Sequence, residues 1–416
     1  MLNQHQQVFI AVENNGRVRS RHQDSITAPP RSTSPDGAKM AVVLIALLLQ
    51  QVAEPPVPLI IDTDMGGGGC RDVDDVVAVC IASALVHRNE AKLLAIMHNT
   101  KPPVVAGVTS VLLTHFGLQD EVPLGAYRGS DLEDGKALAY TEDLVHNWPS
   151  TVKNTSQVHD AVRLYRRTLA AQPDRSVAIS SIGLLTNLDG LLSSMPDEHS
   201  PLNGIDLVAR KVRRVAIMGG SYPSSSRSSS GEHVPAIDEG GFCECNFCAA
   251  YNGGLDHRVA SAASSRVVAR LPASVDVIYS GVEVGLRVVS GAVLSRCTPA
   301  SNPCRQAIVD YEGGVGKGRF SWDPLTTLMA VRGAAGVACT ACGQGECAGA
   351  NSVNASTGAN HWVHGAPTNS SYLLLRDAHA ASAAIDELLC ESSSSPAKAV
   401  ADATRLEMRV RIARGQ

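Results

Sequence analysis

Five aspartates lie within one short segment near the start of the hydrophobic part of the chain, at positions 62, 64, 72, 74 and 75. Carboxylates this close together repel one another unless a cation or a ring of hydrogen-bond donors holds them. Hard oxygen ligands crowded on a turn suit Ca²⁺ or Mg²⁺ far better than Zn²⁺. The segment therefore predicts a divalent-cation site.

The elements that must position these carboxylates can be read from the same segment. Residues 59–61 are apolar and follow Pro58, which is typical of a short buried strand. Glycines at 66–69 allow a sharp turn, and the valines that begin at Val76 favour a helix. Strands and helices continue to alternate after residue 57, so we predict an α/β fold with a doubly wound, mainly parallel sheet flanked by helices.

The segment resembles the aspartate signature of the nucleoside hydrolase family, the inosine/uridine-preferring ribohydrolases. The match consists of Asp62, Asp64, Gly66, Asp74 and Asp75. An insertion at residues 67–71 makes the loop longer than the family's usual one. The resemblance implies a Ca²⁺-dependent hydrolase that cleaves the N-glycosidic bond of ribonucleosides to ribose and free base. It also implies a homodimer or homotetramer.

Later motifs follow in the family's order and extend the resemblance over roughly residues 57–390. The matching positions are Asn99, Thr186, Glu244, Asn246 and Asp323. The resemblance implies that Asp64, Asp75, the Thr186 carbonyl and Asp323 bind calcium. It also implies that Asp74, Asn99, Glu244 and Asn246 bind the ribose.

The proton transfers are only partly assigned. By resemblance, Asp64 is the catalytic base that takes a proton from the attacking water. Well-studied members of the family carry a histidine immediately before the last aspartate, and here that position is Trp322. We expect Trp322 to contact the base by stacking, and we consider His98 as a proton donor to the leaving base.

Three other interpretations stay open. Asp62-x-Asp64 after a hydrophobic strand also resembles the first motif of haloacid-dehalogenase-like phosphatases, although position 66 is glycine. Trp322 and the glycine insertion favour a non-catalytic nucleoside- or Ca²⁺-binding protein. The cysteines at 243, 245 and 248, with His233 or His257, match a weak zinc-site pattern.

The composition limits the partners and the domain organisation. A formal net charge of −4 over 416 residues gives no basic surface for nucleic acid. We predict a disordered or mis-assigned N-terminus at 1–39, a signal peptide at 40–54, a nucleoside hydrolase-like domain at 57–390 and a tail at 391–416. The apolar run at 40–49 is too short for a stable membrane span and has the length of a signal-peptide core. It predicts the secretory route; otherwise the protein is cytoplasmic.

Two local features carry expectations of their own. Residues 266–271 favour a strand by their valine-rich pattern. Eleven cysteines over a long chain do not define a disulfide framework, although Cys297 and Cys304 are close enough in sequence to pair.

Overall fold

The computed structural model describes residues 55–133, 135–223, 243–250, 254–365 and 368–391. The predicted segments 1–39 and 40–54, and the tail after residue 391, lie outside the described residues. Within the described ranges, no helix is both long and apolar enough to cross a membrane.

The centre of the domain is a nine-stranded sheet with the order β10-β13-β7-β6-β5-β1-β2-β3-β4. The strands in chain order are β1 (Val57–Thr63), β2 (Ala91–His98), β3 (Leu124–Ala126), β4 (His159–Asp160), β5 (Val177–Ile182), β6 (Val212–Met218), β7 (Asp276–Ser280), β8 (Val289–Ser290), β9 (Arg319–Phe320), β10 (Cys339–Cys342), β11 (Gly349–Val353), β12 (Asn360–His364) and β13 (Ser370–Leu375). Adjacent strands of the large sheet are parallel except for β10, which pairs antiparallel with β13. The predicted fold class is confirmed.

Helices and small hairpins complete the domain. The α-helices are Asp74–His87, Val105–Phe116, Ala139–Asn147, Ala161–Ala170, Thr186–Ser193, Gly204–Lys211, Cys245–Cys248, Gly254–Arg270, Val282–Gly285, Leu294–Cys297, Pro303–Glu312, Trp322–Arg332 and Ala378–Glu391. Two antiparallel pairs, β11 with β12 and β8 with β9, lie outside the large sheet.

Strand β1 lies inside the sheet, next to the middle strand β5, and is covered on both faces. Leu59 and Ile61 pack into one hydrophobic core, and Ile60 packs into the core on the opposite face. This alternation follows from the two-residue period of a strand. Because β1 has β5 on one side and β2 on the other, its carboxyl end lies beside theirs, where parallel sheets place their ligands.

Two helices pack together on one face of the sheet and begin at the same end of it. Val76 and Val77 of the helix Asp74–His87 share a core with Leu325 and Leu328 of the helix Trp322–Arg332. A buried disulfide between Cys80 and Cys304 also ties the first of these helices to the helix Pro303–Glu312. The packing brings together the two helix starts that carry the predicted carboxylates.

The strand predicted at residues 266–271 is wrong, because the helix Gly254–Arg270 runs through it. Ala260, Ala263 and Val267 are buried at intervals of three and four residues, which is the period of a helix. The strand preference of the valines in this segment therefore gave the wrong prediction, because the packing of the helix against the core outweighed it.

The final helix, Ala378–Glu391, covers the core and is fastened at its end. Ile385, Leu388 and Leu389 are fully buried. The Arg88 guanidinium pairs with Glu387 at 2.5 Å and also with Glu391.

The cysteine pairing suggested between positions 297 and 304 is wrong. Cys297 is bonded to Cys390 in the last helix, and Cys304 to Cys80. These partners are distant in the chain, so the pairing depends on tertiary packing that local spacing does not report.

Candidate functional site

Three buried carboxylates converge at the two helix starts. Asp74 and Asp75 occupy the first turn of one helix, and Asp323 is the second residue of the other. One oxygen from each lies within 4.8 Å of the others. The backbone N–H of Asp323 donates to the Asp74 carboxylate at 3.0 Å, which locks the two helix starts together.

Asp64 lies behind this cluster, at the end of β1. One of its oxygens accepts a hydrogen bond from the backbone N–H of Cys70. Its other oxygen, and one oxygen of Asp75, are buried without a hydrogen-bond partner among the described residues. The remaining Asp75 oxygen accepts from the Thr63 hydroxyl.

The electrostatics of the cluster favour a bound cation. Burial raises the pKa values of Asp64, Asp74, Asp75 and Asp323 well above the usual carboxyl range, and repulsion among these groups raises them further. The positive ends of two helix dipoles offset only part of this cost. Crowded carboxylates with two unpartnered buried oxygens are a donor set that fits a hard divalent cation such as Ca²⁺.

Asp62 has a structural role in this geometry. Its carboxylate is fully buried and accepts from Asn99 at 3.0 Å, from Asn187 at 3.0 Å and from the Tyr165 hydroxyl at 2.8 Å. Burial raises the pKa of Asp62 to about 7, and these three donors oppose that rise. A phosphatase of the haloacid-dehalogenase type would need this carboxylate as an open nucleophile, so the arrangement disfavours that alternative.

Asn99 and Thr186 lie next to each other under the site. The Asn99 side chain donates to Asp62 and accepts from the Leu184 N–H at 3.0 Å, so both ends of its amide are already used. The Thr186 hydroxyl donates to the Asn99 backbone carbonyl at 2.8 Å. The ribose role of Asn99 and the calcium role of the Thr186 carbonyl stay predictions.

A cavity of about 510 Å³ opens above the carboxylate cluster. Among the predicted site residues, its lining includes Asp74, Asp323, Glu244, Asn246 and Trp322. Its lining does not include the other four, which are Asp64, Asp75, Asn99 and Thr186. The structure therefore brings five predicted residues to one cavity and places the others beneath it.

Glu244 and Asn246 form the wall opposite the cluster. Glu244 precedes the short helix Cys245–Cys248, and its carboxylate accepts from the Asn246 N–H at 3.0 Å. Burial raises the pKa of Glu244 to about 7. The Asn246 amide donates to the Met218 carbonyl at 3.2 Å, which fixes the direction of its oxygen.

Trp322 reaches the cavity from the start of its helix, and its position depends on a glycine. The indole N–H donates to the Val282 carbonyl at 2.9 Å. A Cβ added to Gly285 would come within 2.2 Å of Trp322 Cδ1. Val282 and Gly285 thus form part of the surface on which Trp322 rests.

Arg319 is a cavity residue that the sequence did not indicate. Its guanidinium pairs with Asp72, with Nε 2.9 Å from Oδ1, and lies 5.2 Å from the Tyr311 ring centroid and 5.6 Å from that of Trp322. Tyr311 in turn donates to the Arg71 carbonyl at 2.8 Å. The positively charged Arg319 guanidinium therefore lies beside the aromatic side chains of Tyr311 and Trp322. These residues do not form a recognisable sequence motif.

Neither the zinc alternative nor the His98 hypothesis gains support. Cys243 is bonded to Cys248 and Cys245 to Cys70, so none of these thiols is available as a thiolate ligand. His98 is fully buried, burial lowers its pKa to about 3, and it does not line the cavity. A neutral histidine away from the cavity cannot protonate a leaving base.

Comparison with solved structures identifies the fold. XopQ, a type III effector protein complexed with adenosine diphosphate ribose, aligns with a TM-score of 0.55 and 15% identity over 87% of this chain and 100% of that one. A purine-preferring ribonucleoside hydrolase from Gardnerella vaginalis aligns with a TM-score of 0.54 and 14% identity over 81% and 98%. An inosine-uridine preferring nucleoside hydrolase from Bacillus anthracis gives 0.54 and 13% over 80% and 99%.

The chain has a nucleoside hydrolase-like fold. No family model and no curated protein sequence matches it. The expected family resemblance is thus confirmed at the level of the fold, in a chain whose sequence has diverged far from these structures.

Proposed function

We propose that this protein is a Ca²⁺-dependent hydrolase of the N-glycosidic bond of ribonucleosides. The observation that carries the proposal is the convergence of Asp74, Asp75 and Asp323 under a cavity walled by Glu244 and Asn246. These five residues come from three separate stretches of the chain, and all five occupy positions at which the family's motifs match. The nucleoside hydrolase-like fold supports the same reaction class.

The reaction breaks the bond between the anomeric carbon and the base nitrogen, and the ribosyl group gains positive charge in the transition state. The buried carboxylates stabilise that charge, since a low-dielectric site strengthens the attraction. Glu244 and Asn246 hold ribose hydroxyls: the carboxylate accepts hydrogen bonds, while the amide of Asn246 both donates and accepts. A sugar without these hydroxyls leaves polar groups unpaired and is bound less well.

A cation held by Asp75 and Asp323 would orient the attacking water and the ribose hydroxyls, and it would lower the pKa of that water. Asp75 and Asp323 belong both to the ligand set implied by the family and to the cluster in the structure. Asp74 is the third member of the carboxylate cluster in the structure. Asp64, at the end of β1, has one buried oxygen without a hydrogen-bond partner among the described residues. We assign Asp64 as the base that accepts the proton from water, since burial raises its pKa well above the usual carboxyl range and so makes it a stronger proton acceptor.

In this proposal Trp322 lines the part of the cavity that holds the leaving nucleobase. Its indole offers a flat apolar surface for stacking, and the adjacent Arg319 guanidinium offsets negative charge on a departing base. Part of that charge is already balanced by Asp72, so the help from Arg319 is modest.

A second candidate function is binding of a ribosyl ligand without turnover. The Cys70 N–H covers one oxygen of Asp64, which favours this alternative because the proposed base is then not free. The effector XopQ was solved with adenosine diphosphate ribose, and we include that molecule among the ligands to test. Secretion and a homodimeric or homotetrameric state stay predictions.

The decisive experiment measures ribose release from inosine and uridine, with Ca²⁺ and with a chelator, before and after treatment with a dithiol. We expect release that depends on Ca²⁺. Binding of nucleoside or adenosine diphosphate ribose with no release under any of these conditions would replace the hydrolase proposal with the binding one. Phosphate release from p-nitrophenyl phosphate would instead revive the phosphatase alternative.

A further inference from the structure

The inserted loop of residues 67–71 lies between the proposed base and the cavity. The backbone N–H of Cys70 donates to Asp64, and a Cβ added to Gly69 would meet the same Asp64 oxygen at 2.3 Å. Asp64 is only 1% exposed and does not line the cavity, although Asp74 and Asp323 do. The loop backbone therefore covers the group that the proposed reaction needs.

A disulfide holds this loop against the opposite wall of the cavity. Cys70 is bonded to Cys245, with their Cα atoms 5.5 Å apart and 175 positions between them in the chain. Cys245 stands between Glu244 and Asn246, and Cys70 Sγ lies 3.0 Å from the Asn246 side-chain oxygen. The cross-link thus occupies the space next to the pair proposed to hold the ribose.

The Cys70–Cys245 disulfide is accessible to solvent, unlike a disulfide buried in the core. Cys70 and Cys245 are partly exposed and line the cavity, whereas Cys80 and Cys304 are fully buried in the core. Solvent access lets a thiolate reach the sulfur atoms, and exposed disulfides are the ones that exchange readily.

We propose that the Cys70–Cys245 disulfide is a redox latch that keeps the inserted loop over Asp64, and that its reduction by a dithiol opens the site. The proposal rests on the proposed function, because it concerns access to the same carboxylate. A thiolate of the dithiol attacks one sulfur and forms a mixed disulfide, and its second thiol then displaces that bond. Two electrons and two protons pass to the protein, giving two thiols, and the reductant becomes a disulfide.

Reduction removes the covalent tie between Cys70 and the opposite wall, while the hydrogen bonds to the Gly67 and Arg71 carbonyls keep the two ends of the loop in place. The remaining described tie between Cys70 and Asp64 is the backbone N–H hydrogen bond. A cation or a ribosyl ligand that reached Asp64 would compete with this N–H for the same carboxylate oxygen. Gly67 and Gly68 have φ angles of 126° and 94°, which are backbone conformations that other residues rarely adopt, so a change in the path of the loop between its ends is sterically least restricted at these glycines.

The test compares the oxidised protein, the dithiol-treated protein and Cys70→Ser, and measures both Ca²⁺ affinity by calorimetry and riboside hydrolysis. We expect the dithiol to strengthen Ca²⁺ binding and raise hydrolysis at least tenfold, and Cys70→Ser to reach the reduced level without dithiol. Alkylation and mass spectrometry establish which cysteines are reduced. Cys245→Ser is the second variant, should Cys70→Ser lose its thermal unfolding transition.

The matched control is Cys297→Ser with Cys390→Ser, which removes another partly exposed disulfide that does not line the cavity. This control should respond to dithiol as the unaltered protein does. Equal Ca²⁺ affinity and equal rates for oxidised protein and Cys70→Ser would overturn the latch while leaving the hydrolase intact. A dithiol-dependent Ca²⁺ affinity with no hydrolysis in either state would keep the latch and reject the hydrolase.

Discussion

The backbone N–H of Asp323 donates to the Asp74 carboxylate at 3.0 Å, although 249 positions separate the two residues. Each residue begins a helix, and the two helices pack side by side on the sheet. The contact therefore joins the first and last motifs of the proposed site into one carboxylate cluster.

Removing one carboxylate from this cluster should weaken Ca²⁺ binding and, in the absence of Ca²⁺, stabilise the fold. We expect Asp323→Asn to weaken Ca²⁺ binding by about 100-fold or more, because it removes a charged ligand. In chelator the same variant should be more stable by about 1 kcal/mol or more, since burial and repulsion disfavour the native charge. Thermal unfolding with and without Ca²⁺ measures both effects. Asp120→Asn, at an exposed position, is the control, and a variant that binds Ca²⁺ normally would exclude Asp323 as a ligand.

Asn246 should set the preference for ribose. We expect Asn246→Ala to raise KM for uridine by about 5- to 150-fold, which corresponds to a lost hydrogen-bonding group worth about 1–3 kcal/mol. The variant should also discriminate less between uridine and 2′-deoxyuridine. Steady-state kinetics on both substrates checks this, with Asn147→Ala on the surface as the control. Unchanged discrimination would move the sugar contacts elsewhere in the cavity.

Gly285 should matter through Trp322 and not through its own chemistry. A methyl group at Gly285 meets both the indole and the backbone of Trp322, at 2.2 Å and 2.6 Å, so Gly285→Ala must displace them. We expect a loss of about 1–3 kcal/mol in the free energy of unfolding and a higher KM for nucleosides. At Gly314 an added Cβ meets only a lysine carbon at 3.6 Å, and Gly314→Ala should be neutral. If both variants behave alike, the proposed support of Trp322 is wrong.

His98 should make the fold sensitive to acid. Burial lowers its pKa to about 3, while an unfolded histidine titrates near 6.5. Between these values the unfolded chain binds a proton that the folded chain refuses, so stability falls as the pH drops from about 6.5 towards 3. Neither ring nitrogen has a hydrogen-bond partner among the described residues, so His98→Leu sacrifices none.

Urea unfolding at pH 7 and at pH 4.5 measures this effect. The His98→Leu variant should lose less stability between the two pH values than the unaltered protein does. His379→Leu, at an exposed position, should follow the unaltered protein. A His98→Leu curve parallel to the unaltered one at both pH values would assign the acid sensitivity to other groups.

Much of the fold could be predicted from local patterns. The apolar residues before Asp62 indicated a buried strand, and β1 is an inner strand of the sheet with neighbours on both sides. Asp323, in contrast, entered the predicted site only through the family resemblance, because nothing in its neighbourhood indicates a partner 249 positions away. The packing of two helices supplies that contact.

What the sequence could not supply depends on tertiary contacts. The insertion at 67–71 was visible, but its course across Asp64 follows from a disulfide to Cys245 that spacing does not reveal. Arg319 lines the cavity because a short strand, β9, delivers it to Asp72. The role of a side chain such as Arg319 cannot be predicted from the sequence, because it depends on the positions of neighbouring strands and helices.

The attachment of the last helix limits how far the protein can be shortened. Arg88, close to the beginning of the domain, forms an ion pair with Glu387 in this helix. Cys390, also in this helix, is bonded to Cys297 by a disulfide. A recombinant fragment that stops before Ala378 would leave bare the apolar surface under Ile385, Leu388 and Leu389, and would tend to precipitate. Recombinant protein for crystallisation should therefore retain every residue through Glu391.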